Sequence, residues 1–158
     1  MLVPEAFDIE LQIRSKPCYL CVVRAAVCTA MEKFGFCESS CGQIMLAVDE
    51  AISNVIRHAY DGDESGRIWV KMKALESDEE TGILFCVEDE GKQVDPTEIC
   101  GRPLDRIEPG GLGVHIIREV MDQVEYTKRP KAGMRLVMLK HLTPTHTPTT
   151  ECSERTGT

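Results

Sequence analysis

The sequence predicts an α/β (α+β) two-layer sandwich, in which helices pack on one face of a mixed, mostly antiparallel sheet. Three features predict it: a strictly alternating apolar–polar run near the N-terminus, two long segments with helical apolar spacing, and two pairs of strand-like runs joined by turns. The order strand, two helices, hairpin, helix, hairpin is typical of that architecture. A length of 158 residues fits a single core.

Residues 7–14 alternate between apolar and polar side chains, as a half-buried strand does, and we expect this strand at or near an edge of the sheet. Helical spacing over residues 17–34 predicts the first helix, with Pro17 in its first turn and Gly35 directly after its end. Residues 38–59 have a long apolar face at helical spacing, which predicts the second helix.

The second half of the chain predicts two hairpins around one short helix. The predicted elements are strands at 67–75 and 83–88, a helix at 114–121, and strands at 124–128 and 134–139. We expect the second of these strands to be central in the sheet, and we assign residues 1–142 to one domain. In residues 143–158, Thr, Pro, Ser and Glu replace apolar side chains. Such a segment buries too little to offset its ordering entropy, so we expect a disordered tail.

The overall charge argues against binding to nucleic acid. The formal net charge is −8 and the sequence pI is about 5.0, whereas phosphate recognition needs clustered basic residues. A protein partner or a small ligand is the better expectation. The N-terminus lacks the basic and apolar regions of a signal peptide, and no apolar run is long enough to span a bilayer. We therefore expect a cytoplasmic protein.

The cysteines allow either a zinc site or free thiols. Cys18 and Cys21, followed by Cys37 and Cys41, approximate the spacing of zinc ligands. However, the first pair lies roughly 20 Å from the end of its predicted helix, at about 1.5 Å per residue, whereas the second pair begins the next helix near that end. We therefore favour free cysteines that behave as small buried hydrophobic residues.

Glu50, Asn54 and His58 follow one another at four-residue spacing in the second predicted helix. Their side chains therefore share one face of that helix, next to its apolar stripe. Taken alone, this pattern is also that of the solvated edge of an amphipathic helix. The spacing becomes informative only in combination with other motifs.

Two glycine-containing motifs follow. Asp89-x-Gly91 comes directly after the strand that we expect to be central, where Asp can accept a hydrogen bond from an amine and Gly allows close backbone approach. Gly110-Gly111-Leu112-Gly113 precedes the third predicted helix, whose N–H groups and dipole can hold phosphate oxygens. An ordinary turn and a simple loop before a helix are the respective alternatives.

Together and in this order, the three motifs resemble those of the GHKL (Bergerat-fold) ATPases, and most closely those of bacterial anti-sigma factors that are also serine-protein kinases. The stretches that carry the resemblance are LAVDEAISNVIRHAY, VEDEG and GGLGVHIIREVMDQVEY, and it covers roughly residues 6–140. It implies ATP and Mg²⁺ as cofactors. It also implies a sigma factor and an anti-anti-sigma (STAS-domain) protein as partners, and a homodimer.

The same resemblance implies roles for individual residues. Glu50 would be the general base that deprotonates the serine hydroxyl of a partner, and Asn54 would be a ligand of Mg²⁺. Asp89 would accept from the adenine amino group, and Gly91 would let the backbone pass close to the ring. His58 is expected to be structural rather than catalytic. The triphosphate would be lined by Gly110, Gly111, Leu112 and Gly113.

Two features, one in the segment after Asp89-x-Gly91 and one in the implied lid, leave open whether the protein is catalytically active. Gln93 stands where the superfamily commonly has a second glycine, and the implied lid, residues 99–109, is short. Arg102 and Arg106 in that segment face either phosphate or solvent. Two alternatives therefore stay open: a non-catalytic module that binds nucleotide or a protein partner, and a detached catalytic domain of a histidine kinase.

Overall fold

The computed structural model describes residues 3–76, 81–99 and 112–142. Within them, the elements are β1 (Ile9–Arg14), α1 (Leu20–Lys33), α2 (Glu38–Asn54), β2 (Arg67–Glu76), β3 (Thr81–Asp89), α3 (Leu112–Val120), β4 (Gln123–Lys128) and β5 (Met134–His141). The strand order is β1-β2-β3-β5-β4. None of the described helices has the length and apolarity that crossing a membrane requires. The predicted tail, residues 143–158, lies outside the described residues.

The predicted two-layer α/β fold is confirmed, with β1 at an edge and β3 in the centre of the sheet. Each of the four pairings among the described strands is antiparallel, so this part of the sheet contains no parallel pair, although the sequence predicted a mixed sheet. The reason is the connections. Two hairpins join β2 to β3 and β4 to β5, and the chain from β3 through α3 reaches the opposite edge before it returns beside β3.

β3 is buried on both of its faces. Ile83, Phe85 and Val87 belong to the main core that the helices cover. Leu84 and Cys86 point to the opposite face and belong to a smaller apolar cluster there. Because both faces are buried, the position of the C-terminal end of this strand is set by packing on either side.

The helix that the sequence predicted over residues 38–59 has two parts. The α-helix ends at Asn54, and a π-helical turn follows over Val55–Ala59, in which Tyr60 N donates to Val55 O at 3.1 Å. Apolar spacing did not reveal the change because Ile56, inside the turn, is still buried in the core. Single π-turns occur frequently at functional sites, and this one begins directly after Asn54.

The cysteines differ in burial. Cys41 and Cys86 are buried, as predicted for small hydrophobic residues, but Cys18, Cys21 and Cys37 are exposed. For these three the prediction of burial is wrong, because they lie in or beside the first turns of helices, on the side away from the core. Within the described residues, no three His, Cys, Asp or Glu side chains form a group that could hold a metal ion.

The face of the sheet away from the helices holds a buried carboxylate among basic residues. Glu88 is 5% exposed, its Oε1 accepts from Arg135 Nε at 2.6 Å, and its Oε2 lies 3.2 Å from Lys71 Nζ. Burial by itself raises the pKa of Glu88, but the hydrogen bonds from Arg135 and Lys71 outweigh it and hold the pKa below its ordinary value. The ionised carboxylate therefore stabilises the folded sheet.

We expect Glu88→Gln to lower the free energy of unfolding at pH 7 by about 1–3 kcal/mol, because the basic side chains around Glu88 lose their counter-charge. Folding lowers the pKa of Glu88. The extra stability of the wild type over the variant is therefore present above the ordinary Glu pKa of 4.5 and is lost as the pH falls through the lowered pKa. Urea unfolding at several pH values measures it. Glu10→Gln, whose side chain is 53% exposed beside the same Lys71, is the control. A difference that does not depend on pH would contradict the charge explanation.

Candidate functional site

Glu50 and Asn54 lie one turn apart on α2, and the start of α3 packs directly against both. A β-carbon at Gly113 would lie 2.5 Å from Glu50 Oε2 and 3.3 Å from Asn54 Nδ2. A larger residue at this position would therefore push the carboxylate away from its present place. The contact brings the last glycine of the third motif to the Glu–Asn face of α2.

Arg57 connects these two side chains, and sequence reasoning missed it. Its Nη2 donates to Asn54 Oδ1 at 3.3 Å and lies 3.6 Å from Glu50 Oε2. The side chains of Arg57 and Glu50 are 55% and 28% exposed, so the pair is open to solvent and to a ligand. The signal that could have found Arg57 is its place one turn after Asn54 on the same helical run.

Asp89 ends β3 with its carboxylate buried. The residue is 2% exposed, its Oδ1 accepts from Gly91 N at 2.8 Å, and its Oδ2 accepts from Met134 N at 3.3 Å. Burial raises the pKa of Asp89 above its ordinary value, against the backbone donors of Gly91 and Met134, which lower it. A buried acceptor of this kind gains from a ligand that brings a hydrogen-bond donor.

Gly91 is required by close packing against the end of the π-turn. A β-carbon there would lie 2.4 Å from the carbonyl oxygen of Ala59, and Lys92 N donates to that same oxygen at 2.9 Å. The oxygen is free for this bond because carbonyls at a helix end lack partners within the helix. The Asp-x-Gly loop is thus attached to the helical run that carries Asn54.

Tyr60 is a second residue that sequence reasoning missed. Its hydroxyl oxygen accepts from Glu90 N at 2.9 Å and from Arg67 N at 3.1 Å, and it donates to Arg67 O at 2.5 Å. Burial raises the pKa of Tyr60, so the hydroxyl stays protonated and keeps its donor. One side chain from the end of the helical run therefore ties the start of β2 to the loop after β3.

Other predicted site residues are in different situations. His58 and Leu112 are exposed, and Leu112 is the first residue of α3. Gln93, at the position of the missing second glycine, uses Nε2 to donate to the carbonyl oxygens of Arg129 and Gly133 at 2.6 and 3.2 Å. Several predictions fall outside the described residues, namely those for Gly110, Gly111, Arg102, Arg106 and residues 100–109 of the lid.

The sequence of residues 13–140 matches the family of histidine kinase-like ATPase domains, and this range includes all the candidate site residues described above. The chain belongs to this family. The serine-protein kinase RsbW of Listeria innocua is 30% identical over 139 residues, which are 85% of this chain and 87% of that protein. RsbW of Bacillus subtilis is 25% identical over 142 residues, with 85% of each chain covered.

A solved structure has the same fold. It contains the RsbU and RsbW domains of Rv1364c from Mycobacterium tuberculosis, with a TM-score of 0.57 and 16% identity over 86% of this chain. This chain spans only 33% of that larger one. Among the histidine kinase-like ATPase domains, the protein therefore groups with the RsbW serine-protein kinases, as the sequence motifs implied, and a kinase of this family uses ATP.

Two glycine substitutions separate function from folding. In Gly113→Ala the new methyl group meets only side-chain ends, chiefly that of Glu50 and also that of Asn54, so we expect stability to stay within about 1 kcal/mol of wild type while phosphoryl transfer falls about 10²-fold. In Gly91→Ala it meets the backbone of Ala59, so we expect a loss of about 1–3 kcal/mol. Thermal unfolding and a kinase assay on both variants measure this. A Gly113→Ala protein with unchanged transfer would show that the position of Glu50 is not critical.

Proposed function

We propose that the protein binds Mg²⁺–ATP and transfers the terminal phosphoryl group to a serine of a protein partner. The observation that carries this proposal is the packing of three motifs that are far apart in sequence. Gly113 lies against Glu50 and Asn54, and Gly91 lies against the end of the same helical run. In this proposal a metal-binding amide and a carboxylate share one helical run, and the loop after the base-reading acceptor packs against the end of that run.

The donor set at Asn54 fits a magnesium ion that arrives with a nucleotide. Mg²⁺ prefers oxygen ligands in octahedral geometry and keeps several waters, so one protein oxygen plus triphosphate oxygens suffices. The glycine at 113 lets the start of α3, where the phosphates are proposed to bind, lie directly against Asn54 Nδ2 and Glu50 Oε2. When bound, Mg²⁺ supplies charge neutralisation at the phosphoryl oxygens. Asn54 Oδ1 would be the protein ligand of the ion. This oxygen now accepts a hydrogen bond from Arg57, and the ion would bind at one of its lone pairs.

Glu50 would take the proton. The serine oxygen bonds to the γ-phosphorus, the bond from that phosphorus to the bridging oxygen of ADP breaks, and the hydroxyl proton moves to a Glu50 carboxylate oxygen. Arg57, 3.6 Å from that carboxylate, orients it before the nucleotide binds. The triphosphate then offers the guanidinium a stronger negative partner, which would free Glu50 for its proton.

Asp89 would read the base. Its carboxylate is held by two backbone N–H groups and buried, so it presents an acceptor of fixed direction to the amino group of adenine. A base with a carbonyl in place of that amino group would place two acceptors against each other. This gives the site its preference for ATP.

We also propose that the kinase is a cytoplasmic anti-sigma factor, active as a homodimer. In this proposal the phosphorylated serine belongs to a STAS-domain anti-anti-sigma protein, and the competing partner is a sigma factor. The names of the relatives as serine-protein kinases support the serine acceptor. The net charge of −8 supports protein partners over nucleic acid.

We expect Glu50→Gln to bind Mg²⁺–ATP like wild type and to lose phosphoryl transfer at least ~10²-fold, because the amide cannot take the proton. Transfer of labelled phosphate from ATP to a STAS-domain protein of the same organism measures it. Glu38→Gln, an exposed change in the first turn of the same helix, is the matched control. Retained transfer in Glu50→Gln would remove Glu50 as the base. Label that is stable to base and labile to acid would indicate phosphohistidine and contradict the serine acceptor.

Asn54→Ala should lower the affinity for Mg²⁺–ATP about tenfold or more, since a metal ligand is lost. Calorimetric titration of ATP with and without Mg²⁺ measures this, and Ser53→Ala, the neighbouring change on α2, is the control. Absence of binding to the wild-type protein would contradict the proposed kinase.

A non-catalytic module is the second candidate. Gln93 favours it, because the superfamily commonly has glycine at this position and here the side chain is bonded across to another loop. Binding of the protein partner that is unaffected by nucleotide and by Asn54→Ala would support this candidate over the kinase.

A further inference from the structure

The turn between β4 and β5 packs against the loop that carries Asp89. Arg129 Nη1 donates to the carbonyl oxygen of Asp89 at 2.5 Å, and Met134 N donates to its carboxylate at 3.3 Å. Gly133 has a φ of +78°, and a β-carbon there would collide with the same carbonyl oxygen. The turn therefore contacts both the backbone and the side chain of Asp89.

Gln93, in the loop after β3, also bonds to the turn between β4 and β5. Its Nε2 donates to the carbonyl oxygens of Arg129 and Gly133, at the two ends of the turn. The turn is itself closed by a bond from Arg129 N to Gly133 O at 3.1 Å. The residue that departs from the superfamily glycine thus links the loop after β3 to the turn that holds Asp89.

The guanidinium of Arg129 is held in place by two further side chains. It lies over the ring of Trp69, 5.2 Å from the ring centroid, and its Nε is 3.9 Å from Glu88 Oε1. Arg67 also lies over that ring, at 5.5 Å, and pairs with Glu90 at 2.8 Å. These contacts restrict the directions that the Arg129 side chain can take.

We propose that Arg129 and Gln93 are positioning residues for recognition of the purine base, and that they act through Asp89. This inference rests on the proposed function, because it concerns the same nucleotide site. Neither side chain needs to touch the base. They hold the loop so that the buried carboxylate keeps its direction toward a donor on the ligand, in place of the close backbone turn that a second glycine would allow.

A comparison of two nucleotides that differ in the base distinguishes this positioning role from a general effect on folding. ATP carries an amino group at the position where inosine triphosphate carries a carbonyl, so at that position only ATP offers a donor to Asp89. If Arg129 and Gln93 set the direction of that carboxylate, their replacement lowers the affinity for ATP and leaves the affinity for inosine triphosphate nearly unchanged. If they only stabilise the fold, both nucleotides change together.

The experiment is calorimetric titration of the full chain with ATP and with inosine triphosphate, each with Mg²⁺. The variants are Arg129→Met, Arg129→Lys and Gln93→Gly. The matched controls are Lys131→Met, an exposed change in the same turn, and Glu98→Gln, an exposed change in the segment that carries Gln93. Thermal unfolding of each variant is recorded in parallel.

We expect the ratio of ATP to inosine triphosphate affinity to fall about tenfold in Arg129→Met and about threefold in Gln93→Gly. Arg129→Lys should recover part of the ratio, and the controls should keep it. If Arg129→Met does not fold, Gln93→Gly carries the test, because its side chain is exposed and the core is untouched.

Two results would overturn the inference while the proposed function stands. One is a wild-type ratio in both variants of a protein that binds ATP. The other is an equal loss for both nucleotides together with a lower melting temperature, which indicates a structural role. A wild-type protein that binds neither nucleotide would instead overturn the proposed function itself, and this inference with it.

Discussion

The contact between the end of the π-turn and the loop after β3 determines the geometry of the candidate site. Lys92 N donates to the Ala59 carbonyl, and Gly91 leaves no space for a side chain between the two segments. The helical run that carries Asn54 is packed on the sheet, and β3 is buried on both faces. Because each element is fixed by its own packing, one short contact sets the position of Asp89 relative to Asn54.

In this arrangement the carboxylate of Asp89 is buried, which makes its ionisation unfavourable. Burial raises its pKa, so the ionised form is less favoured in the folded protein than in water. Backbone donors offset part of that cost, and a ligand donor would offset more. Glu88, its neighbour on the opposite face, is also buried, but basic partners reverse the direction of its pKa shift. Adjacent carboxylates thus have pKa values shifted in opposite directions, and only that of Asp89 is raised.

The residue that departs from the superfamily motif makes local contacts near the candidate site. Gln93 occupies the second glycine position, and its amide bonds to the turn between β4 and β5. Arg129 in that turn bonds to the Asp89 carbonyl and is held by Trp69. Arg57 places an exposed guanidinium between Glu50 and Asn54. The contacts of Arg57 are exposed and therefore individually weak, whereas the bond from Arg129 to the Asp89 carbonyl is partly buried.

The sequence by itself determined the architecture, the order of the elements and the motif residues, because apolar periodicity and turn residues act locally and over short spans. The shared face of Glu50 and Asn54 on α2 was predictable for the same reason, since one helical turn relates them. Tertiary structure alone decided the π-turn after Asn54, the exposure of Cys37 and the contacts of Arg129. These depend on the packing of segments distant in the chain, and no local pattern of residue types records which backbone carbonyl another segment will meet.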